Sequence, residues 1–165
     1  MTVWIYGNNS MTTESDIIFD ILHLDDSSKK SLDGFDSRRD NQLLPIYGDI
    51  ILAGKHGENL VGNDDIVFFI NNFRDALTGI ANGKDCIHFD LLEEAGPMEI
   101  RVENDLIAIS RLFNDFNLQP WRKIEPLSFS QVNQAFKEFR NKARRLVSEY
   151  VDPKKLDVYY GYKVL

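Results

Sequence analysis

Cysteine and histidine are the residues of this chain that could bind a transition metal, and one pair of them is suitably spaced. Cys86 and His88 lie two residues apart in an alternating segment, so both side chains would project from one face of a β-strand. A closed zinc site would need two further ligands, and the other histidines, His23 and His56, supply no second Cys/His pair. We therefore predict no metal site and no cofactor, and interpret Cys86 as a half-buried strand residue.

Nucleophilic catalysis has equally little support in the sequence. A reactive serine or cysteine needs a base beside it and a third group that orients that base. No serine lies in a Gly-x-Ser-x-Gly turn, and the segment 54–57 departs from the phosphate-binding Walker loop. We assign no catalytic residue. The alternative that stays open is a small cytosolic enzyme whose site is assembled from scattered residues, such as Asp20, His23, His88 and Asp90.

The whole chain has a formal charge of -7, and its acidic residues are concentrated in the first part of the sequence. Residues 1–95 contain 17 Asp and Glu against 7 Lys and Arg, whereas residues 96–165 contain 9 against 12. Nucleic-acid binding needs clustered cations, so this distribution disfavours it. An acidic surface suits a basic protein partner, because opposite charges steer and orient an encounter. The aspartates between Asp25 and Asp40 lack the spacing of a calcium-binding loop.

One helix and three strands are the secondary-structure elements that the sequence predicts most clearly, and the first of these strands contains Cys86 and His88. Apolar residues recur with a period of 3.6 from Ile66 to Ile80, behind a cap formed by residues 63–65. The period then changes to 2 in the segments 86–91, 98–103 and 106–110, which predicts an antiparallel meander with a turn at Asn104-Asp105. Gly83 supplies a left-handed position after the helix.

The remaining segments are assigned from shorter patterns. We predict strands at Val3–Tyr6, Ile17–Leu22 and Ile46–Ala53, and a polar, mobile loop from Asp25 to Asn41. Leu112 to Glu125 is expected to be irregular. Ser128 and Gln131 fit a capping box that begins a second helix running to about Val151, and residues 158–164 alternate like a last strand.

These patterns predict a single α+β domain over residues 1–165, with a mostly antiparallel sheet of about six or seven strands and two helices packed on one face. The lone cysteine indicates a reducing, cytoplasmic compartment. No apolar run is long enough for a membrane span.

The organisation resembles that of bacterial toxin-immunity proteins of the polymorphic or contact-dependent toxin systems. The resemblance is carried by the short acidic single domain, an irregular N-terminal half, and the helix followed by hairpins from Val67 to Ile109. It implies a non-catalytic inhibitor in the cytosol that covers the active site of a toxin, with acidic side chains facing a basic, nuclease-like cleft. The cationic second helix departs from what such an inhibitor needs.

This interpretation assigns the contact with a protein partner to acidic side chains for steering and to aromatic side chains for buried anchoring. The predicted partner-binding residues are Asp25, Asp26, Asp33, Phe35, Asp36, Asp40, Tyr47, Glu58, Asp64, Asp65 and Trp121.

Overall fold

Two antiparallel sheets and four helices make up the described part of this computed structural model, which covers residues 16–36, 44–55, 57, 59–93, 96–112 and 120–165. The predicted α+β class with about six or seven mostly antiparallel strands is confirmed by the seven described strands. They are divided between two sheets where one was expected, and the described helices number four where two were expected. The elements are β1 Ile17–Leu24, α1 Asp26–Asp33, β2 Tyr47–Gly54, β3 Gly62–Asp65, α2 Ile66–Ala81, β4 Cys86–Phe89, β5 Met98–Glu103, β6 Leu106–Leu112, β7 Pro120–Leu127, α3 Phe129–Ser148 and α4 Pro153–Tyr160.

The first sheet has the strand order β1-β2-β3, and its register shifts between Ile21 and Leu24. After the shift Leu24 of β1 pairs with Gly48 of β2, and the backbones of the two strands come very close at this point. A Cβ added at Gly48 would lie 2.5 Å from the backbone oxygen of His23 and 3.0 Å from Ile66 Cδ1. Glycine is therefore required at this position by space, because no side chain fits between β1 and β2.

The second sheet is the predicted meander extended by one strand, in the order β4-β5-β6-β7. Asn104 and Asp105 have φ values of 50° and 64°, as the two-residue turn between β5 and β6 requires. The register pairs His88 with Glu99, and Cys86 with Arg101. The strand pairing therefore places the polar residues of β4 and β5 side by side.

An aromatic core joins the first sheet to the two long helices. Phe19 of β1 stacks on Phe139 of α3 at 4.4 Å between ring centroids, and it meets the ring of Phe73 of α2 edge-on at 5.1 Å. Phe73 also packs against Phe136 at 5.0 Å and is fully buried. The helical period read from residues 66–80 is thus confirmed, since its apolar face forms this core.

Three segments differ from their predicted structure. The mobile loop predicted from Asp25 to Asn41 contains α1, and its residues 37–41 lie outside the described part of the chain. α1 buries Ser28 and Leu32 at i, i+4 spacing, a pattern with too few apolar residues to be recognised in the sequence. The segment from Leu112 to Glu125, expected to be irregular, contains most of β7. This strand lies at the edge of the second sheet, where prolines are tolerated. The strand predicted over residues 158–164 is absent: residues 158–160 end α4, which is capped by Asp152 and followed by Gly161 with φ 76°, and residues 161–164 are irregular.

The helix cap at Ser128 and the strands predicted in the first half of the chain can be compared with the structure in turn. The capping box of Ser128 and Gln131 is present, with both of its hydrogen bonds. Ile46–Ala53 corresponds closely to β2, and Ile17–Leu22 to β1. The strand predicted at Val3–Tyr6 lies outside the described residues. None of the helices that the structure describes combines the length and apolar character needed to cross a membrane.

Candidate functional site

A groove opens beside the N-terminus of α2, between β2, the segment after β4 and the C-terminal residues. It has a volume of about 600 Å³ and is lined mainly by apolar and aromatic side chains. Phe68 is 36% exposed, Leu92 49% and Tyr162 44%, so three large side chains present apolar surface to solvent in one place. The lining residues are Leu44, Pro45, Tyr47, Asp65, Val67, Phe68, Asn71, Leu92, Tyr160 and Tyr162.

Hydrogen bonds fix the tyrosines of this groove. Tyr160 donates from its hydroxyl to the backbone oxygen of Leu44 at 2.8 Å, and burial raises the pKa of its phenol. Tyr47 donates to a carboxylate oxygen of Glu93 at 2.9 Å, which raises the pKa of Tyr47. Because each ring is held in position, little side-chain entropy would be lost when a partner packs against it.

The floor of the groove is set by two adjacent acidic residues at the start of α2. Asp65 caps the helix, and its Oδ1 accepts hydrogen bonds from the backbone amides of Val67 at 2.9 Å and Phe68 at 3.0 Å. The Asp64 carboxylate accepts from the amides of Leu92 and Glu93 at 3.1 and 3.3 Å. Burial raises the pKa of both carboxyls against these hydrogen bonds, so both acids act as internal supports of the groove.

An acidic edge, formed by Asp25, Asp49 and Glu93, adjoins the groove. Tyr47 and Asp49 are two residues apart on β2, so their side chains lie on the same face of the sheet. Asn63 donates from Nδ2 to carboxylate oxygens of both Asp25 and Asp49, each at 3.0 Å. No lysine or arginine among the described residues forms an ion pair with these three carboxylates, and the one histidine contact is His23 Nε2 to Asp49 Oδ2 at 3.4 Å. The edge therefore keeps its negative charge available to a cation.

The structure brings some of the predicted partner-binding residues together. Tyr47 and Asp65 line the groove, Asp25 belongs to the acidic edge, and Asp64 lies beneath the groove, fully buried. Asp26 pairs with Lys29 at 3.1 Å on α1, and Asp33 and Asp36 are exposed at and beyond the end of that helix.

Phe35, predicted to be an aromatic anchor for a partner, is 7% exposed and packs edge-on against Tyr159 at 5.4 Å between ring centroids, so most of its ring is already covered within the fold. Asp40 and Glu58 lie outside the described residues, as does the side chain of Trp121.

Eight of the ten residues that line the groove were not among the predicted partner-binding residues, and they include its exposed aromatic and apolar side chains. Phe68 lies off the buried stripe of α2, and an aromatic residue on the polar side of a helix is the signal that could have identified it. Leu92 follows β4 in an irregular segment. Tyr160 and Tyr162 were assigned to a strand, which hid their approach to α2.

The residues of the enzyme alternative are dispersed. Lys142 Nζ lies 2.5 Å from Asp20 Oδ1, His23 contacts Asp49, and His88 Nε2 lies 2.7 Å from Glu99 Oε2. Cys86 Sγ contacts the same Nε2 at 3.7 Å, whereas a catalytic relay needs the thiol and the carboxylate on opposite nitrogens of the imidazole ring. Burial and the neighbouring Glu99 also raise the pKa of the Cys86 thiol, which keeps it protonated.

Comparison with known proteins gives no relative from which to argue: no family model matches the chain, and no curated protein or solved structure matches it.

Proposed function

We propose that this protein is a non-catalytic, cytoplasmic inhibitor that binds a basic protein through the aromatic groove and the acidic edge. The observation that carries the proposal is the adjacency of two features: the exposed apolar surface of Phe68, Leu92 and Tyr162, and carboxylates that form no salt bridge with a lysine or arginine among the described residues. Lys29 is only an electrostatic neighbour of Asp25. Aromatic anchors carry most of the energy of protein interfaces, and complementary charge supplies rapid, oriented association.

The charge of the edge selects the kind of partner. An apolar groove alone would accept many segments, but Asp25, Asp49 and Glu93 would repel an acidic one. The proposed occupant is a segment of a folded protein that places an apolar side chain in the groove and lysine or arginine side chains against the edge. A nuclease-like toxin has such a cationic surface, because its substrate is a polyanion. The resemblance to toxin-immunity proteins supports the same assignment.

The perturbed groups in the groove do not favour the enzyme alternative. Asp65 and Tyr160 both have raised pKa values, which is a common sign of an active site. Both shifts result mainly from burial, and both groups are committed to hydrogen bonds that hold the fold: the helix cap and the bond to Leu44. The two burial-shifted groups among the described lining residues thus have structural roles, which favours a rigid binding surface.

The proposal is tested by affinity capture from the organism that encodes the chain, followed by quantitative binding with the captured protein purified. We expect a basic protein that binds wild type, that binds a Phe68→Ala/Leu92→Ala variant at least about tenfold more weakly, and whose activity is inhibited by wild type. Val158→Ala is the matched control, because Val158 is 76% exposed and does not line the groove. Equal affinity of the wild type and the groove variant, or a captured partner with an acidic surface, would refute the assignment.

A further inference from the structure

A cluster of sulfur, nitrogen and oxygen donors lies on the second sheet, away from the residues that line the groove. Cys86 and His88 project from β4, and Glu99 projects from β5 as the direct cross-strand neighbour of His88. Cys86 Sγ, His88 Nε2 and one Glu99 carboxylate oxygen lie within 4.8 Å of one another. Strand pairing brings the Glu99 carboxylate to this Cys/His pair, and the spacing of Cys86 and His88 in the sequence gives no sign of it.

We propose that Cys86, His88 and Glu99 bind a zinc(II) ion through Sγ, Nε2 and Oε2. The donor types select the metal: thiolate and imidazole favour zinc over magnesium or calcium, which prefer oxygen ligands alone. Three protein ligands leave a fourth, open position for water or another small ligand.

The distances between the donors agree with a tetrahedral ion in two of the three pairs. Zinc bond lengths of about 2.3 Å to sulfur and about 2.0 Å to nitrogen or oxygen place sulfur about 3.5 Å from each of the other donors, and nitrogen about 3.3 Å from oxygen. The structure has 3.7 Å from Cys86 Sγ to His88 Nε2, 3.5 Å from Cys86 Sγ to Glu99 Oε2, and 2.7 Å from His88 Nε2 to Glu99 Oε2. Binding therefore requires the imidazole and the carboxylate to separate by about 0.6 Å, within the reach of a small side-chain rotation.

Neighbouring groups hold the Glu99 carboxylate in place and leave the proposed site accessible to solvent. Arg101 contacts both carboxylate oxygens of Glu99, which fixes the orientation of the carboxylate beside Cys86 and His88. β4 is an edge strand and the His88 side chain is 43% exposed, which leaves a path for the ion. On binding, the Cys86 thiol releases its proton to solvent as the sulfur–zinc bond forms.

Arg101 is also the competitor of the metal. Its Nη2 lies 2.8 Å from Glu99 Oε2, the oxygen assigned to zinc, whereas its Nε lies 3.1 Å from Oε1. A bound ion would displace the first contact and leave the second in place. Removing the guanidinium should therefore free Oε2 and remove a repelling charge, which strengthens metal binding.

The test is a titration of the purified full chain with Co²⁺ and Zn²⁺, with Co²⁺ used as a spectroscopic substitute for zinc. Wild type should bind one equivalent, with a thiolate-to-cobalt charge-transfer band that is lost in Cys86→Ser. His88→Ala and Glu99→Gln should weaken zinc binding by more than about tenfold, and Arg101→Ala should strengthen it. Glu125→Gln is the matched control for Glu99→Gln, because Glu125 is exposed on β7, at the opposite edge of the sheet from β4, and it should bind like wild type.

The gain expected for Arg101→Ala separates a binding site from a stabilising network, since misfolding cannot produce tighter binding. The proposal is overturned if wild type gives no thiolate band, if Cys86→Ser, His88→Ala and Glu99→Gln bind as tightly as wild type, or if Arg101→Ala binds more weakly.

Discussion

Asn71 of α2 donates a hydrogen bond from Nδ2 to the hydroxyl of Tyr162 at 2.8 Å, across 91 positions of the sequence. The bond holds the segment after α4 against the exposed side of α2, and so closes one wall of the groove. Tyr162 nevertheless stays 44% exposed, which leaves its ring available to a partner. A single side chain thus completes the groove and presents part of its contact surface.

Tyr162→Ala should weaken the binding of the partner strongly. Loss of a central aromatic anchor costs about 2 kcal/mol or more, which is roughly 30-fold in Kd. Tyr162→Phe keeps the ring and loses only the hydrogen bond, worth about 1 kcal/mol, and should bind within a factor of about five. Calorimetric titration of both variants distinguishes the contributions. If the alanine variant bound like wild type, the ring would lie outside the interface.

Neutralising the acidic edge should slow association. Asp25→Asn/Asp49→Asn/Glu93→Gln removes three carboxylates beside the groove and keeps acceptors for Asn63 and Tyr47. Long-range attraction is screened over about 8 Å in physiological salt, so the on-rate should fall and depend less on ionic strength. Stopped-flow association across a salt series measures both quantities.

A second triple variant controls for net charge. Glu103→Gln/Asp105→Asn/Glu149→Gln removes the same charge from exposed positions that do not line the groove. It should keep most of the wild-type salt dependence. Identical losses in the two triple variants would mean that only the total charge matters.

Phe73→Ala should destabilise the fold by about 3–5 kcal/mol, because it removes a fully buried ring that packs against Phe19 and Phe136. Phe68→Ala removes the same side chain from the exposed side of the same helix and should cost much less. Urea unfolding gives both free energies. A loss under about 1 kcal/mol for Phe73→Ala would contradict the packing of α2.

Gly48→Ala should destabilise the first sheet by about 1–3 kcal/mol, because the new Cβ would meet the backbone oxygen of His23 at 2.5 Å. At Gly34 the nearest atom to a new Cβ is the Lys30 backbone oxygen at 3.6 Å, so Gly34→Ala should be neutral or slightly stabilising. Thermal unfolding of the pair separates steric crowding from the general effect of replacing glycine.

Asp65→Asn should reveal the cost of a buried charge. The folded-state pKa of Asp65 is raised above its ordinary value of 3.8, so wild-type stability is greatest when this group is protonated and declines as the pH rises through the folded pKa. Asparagine also caps helices and carries no charge. The variant should therefore gain stability relative to wild type at neutral pH, and the difference should shrink as the pH falls towards 3.8. A difference that grows on acidification would reverse the assignment.

The long periodic elements could be predicted from the sequence, because their signals are local. The stripe of α2 and the capping box at Ser128 and Gln131 each lie within a few turns of chain, and both are present. α1 was missed because its buried face has one apolar residue, Leu32, beside Ser28. α4 was missed because alternating Val158 and Tyr160 fit a strand as well as a short helix.

The candidate sites depend on contacts between distant segments, and this is why most of their residues were not predicted. Tyr47 was expected to contact a partner, but Tyr162 and Leu92 reach the same groove only through the tertiary fold. The Cys86, His88 and Glu99 cluster is an intermediate case. The predicted hairpin pairs two strands, but only the register shows that Glu99 faces His88.

The stacking of Phe19 on Phe139 has a consequence for how the folded protein opens. β1 is covered by α3, while α2 packs between β2 of the first sheet and β4 and β5 of the second. Separating the two sheets would expose a shared cluster of phenylalanine rings, so neither sheet can open far without the other. Amide protons in the middle of β1 and β6 should then give the same free energy of opening in hydrogen exchange, equal to that of global unfolding.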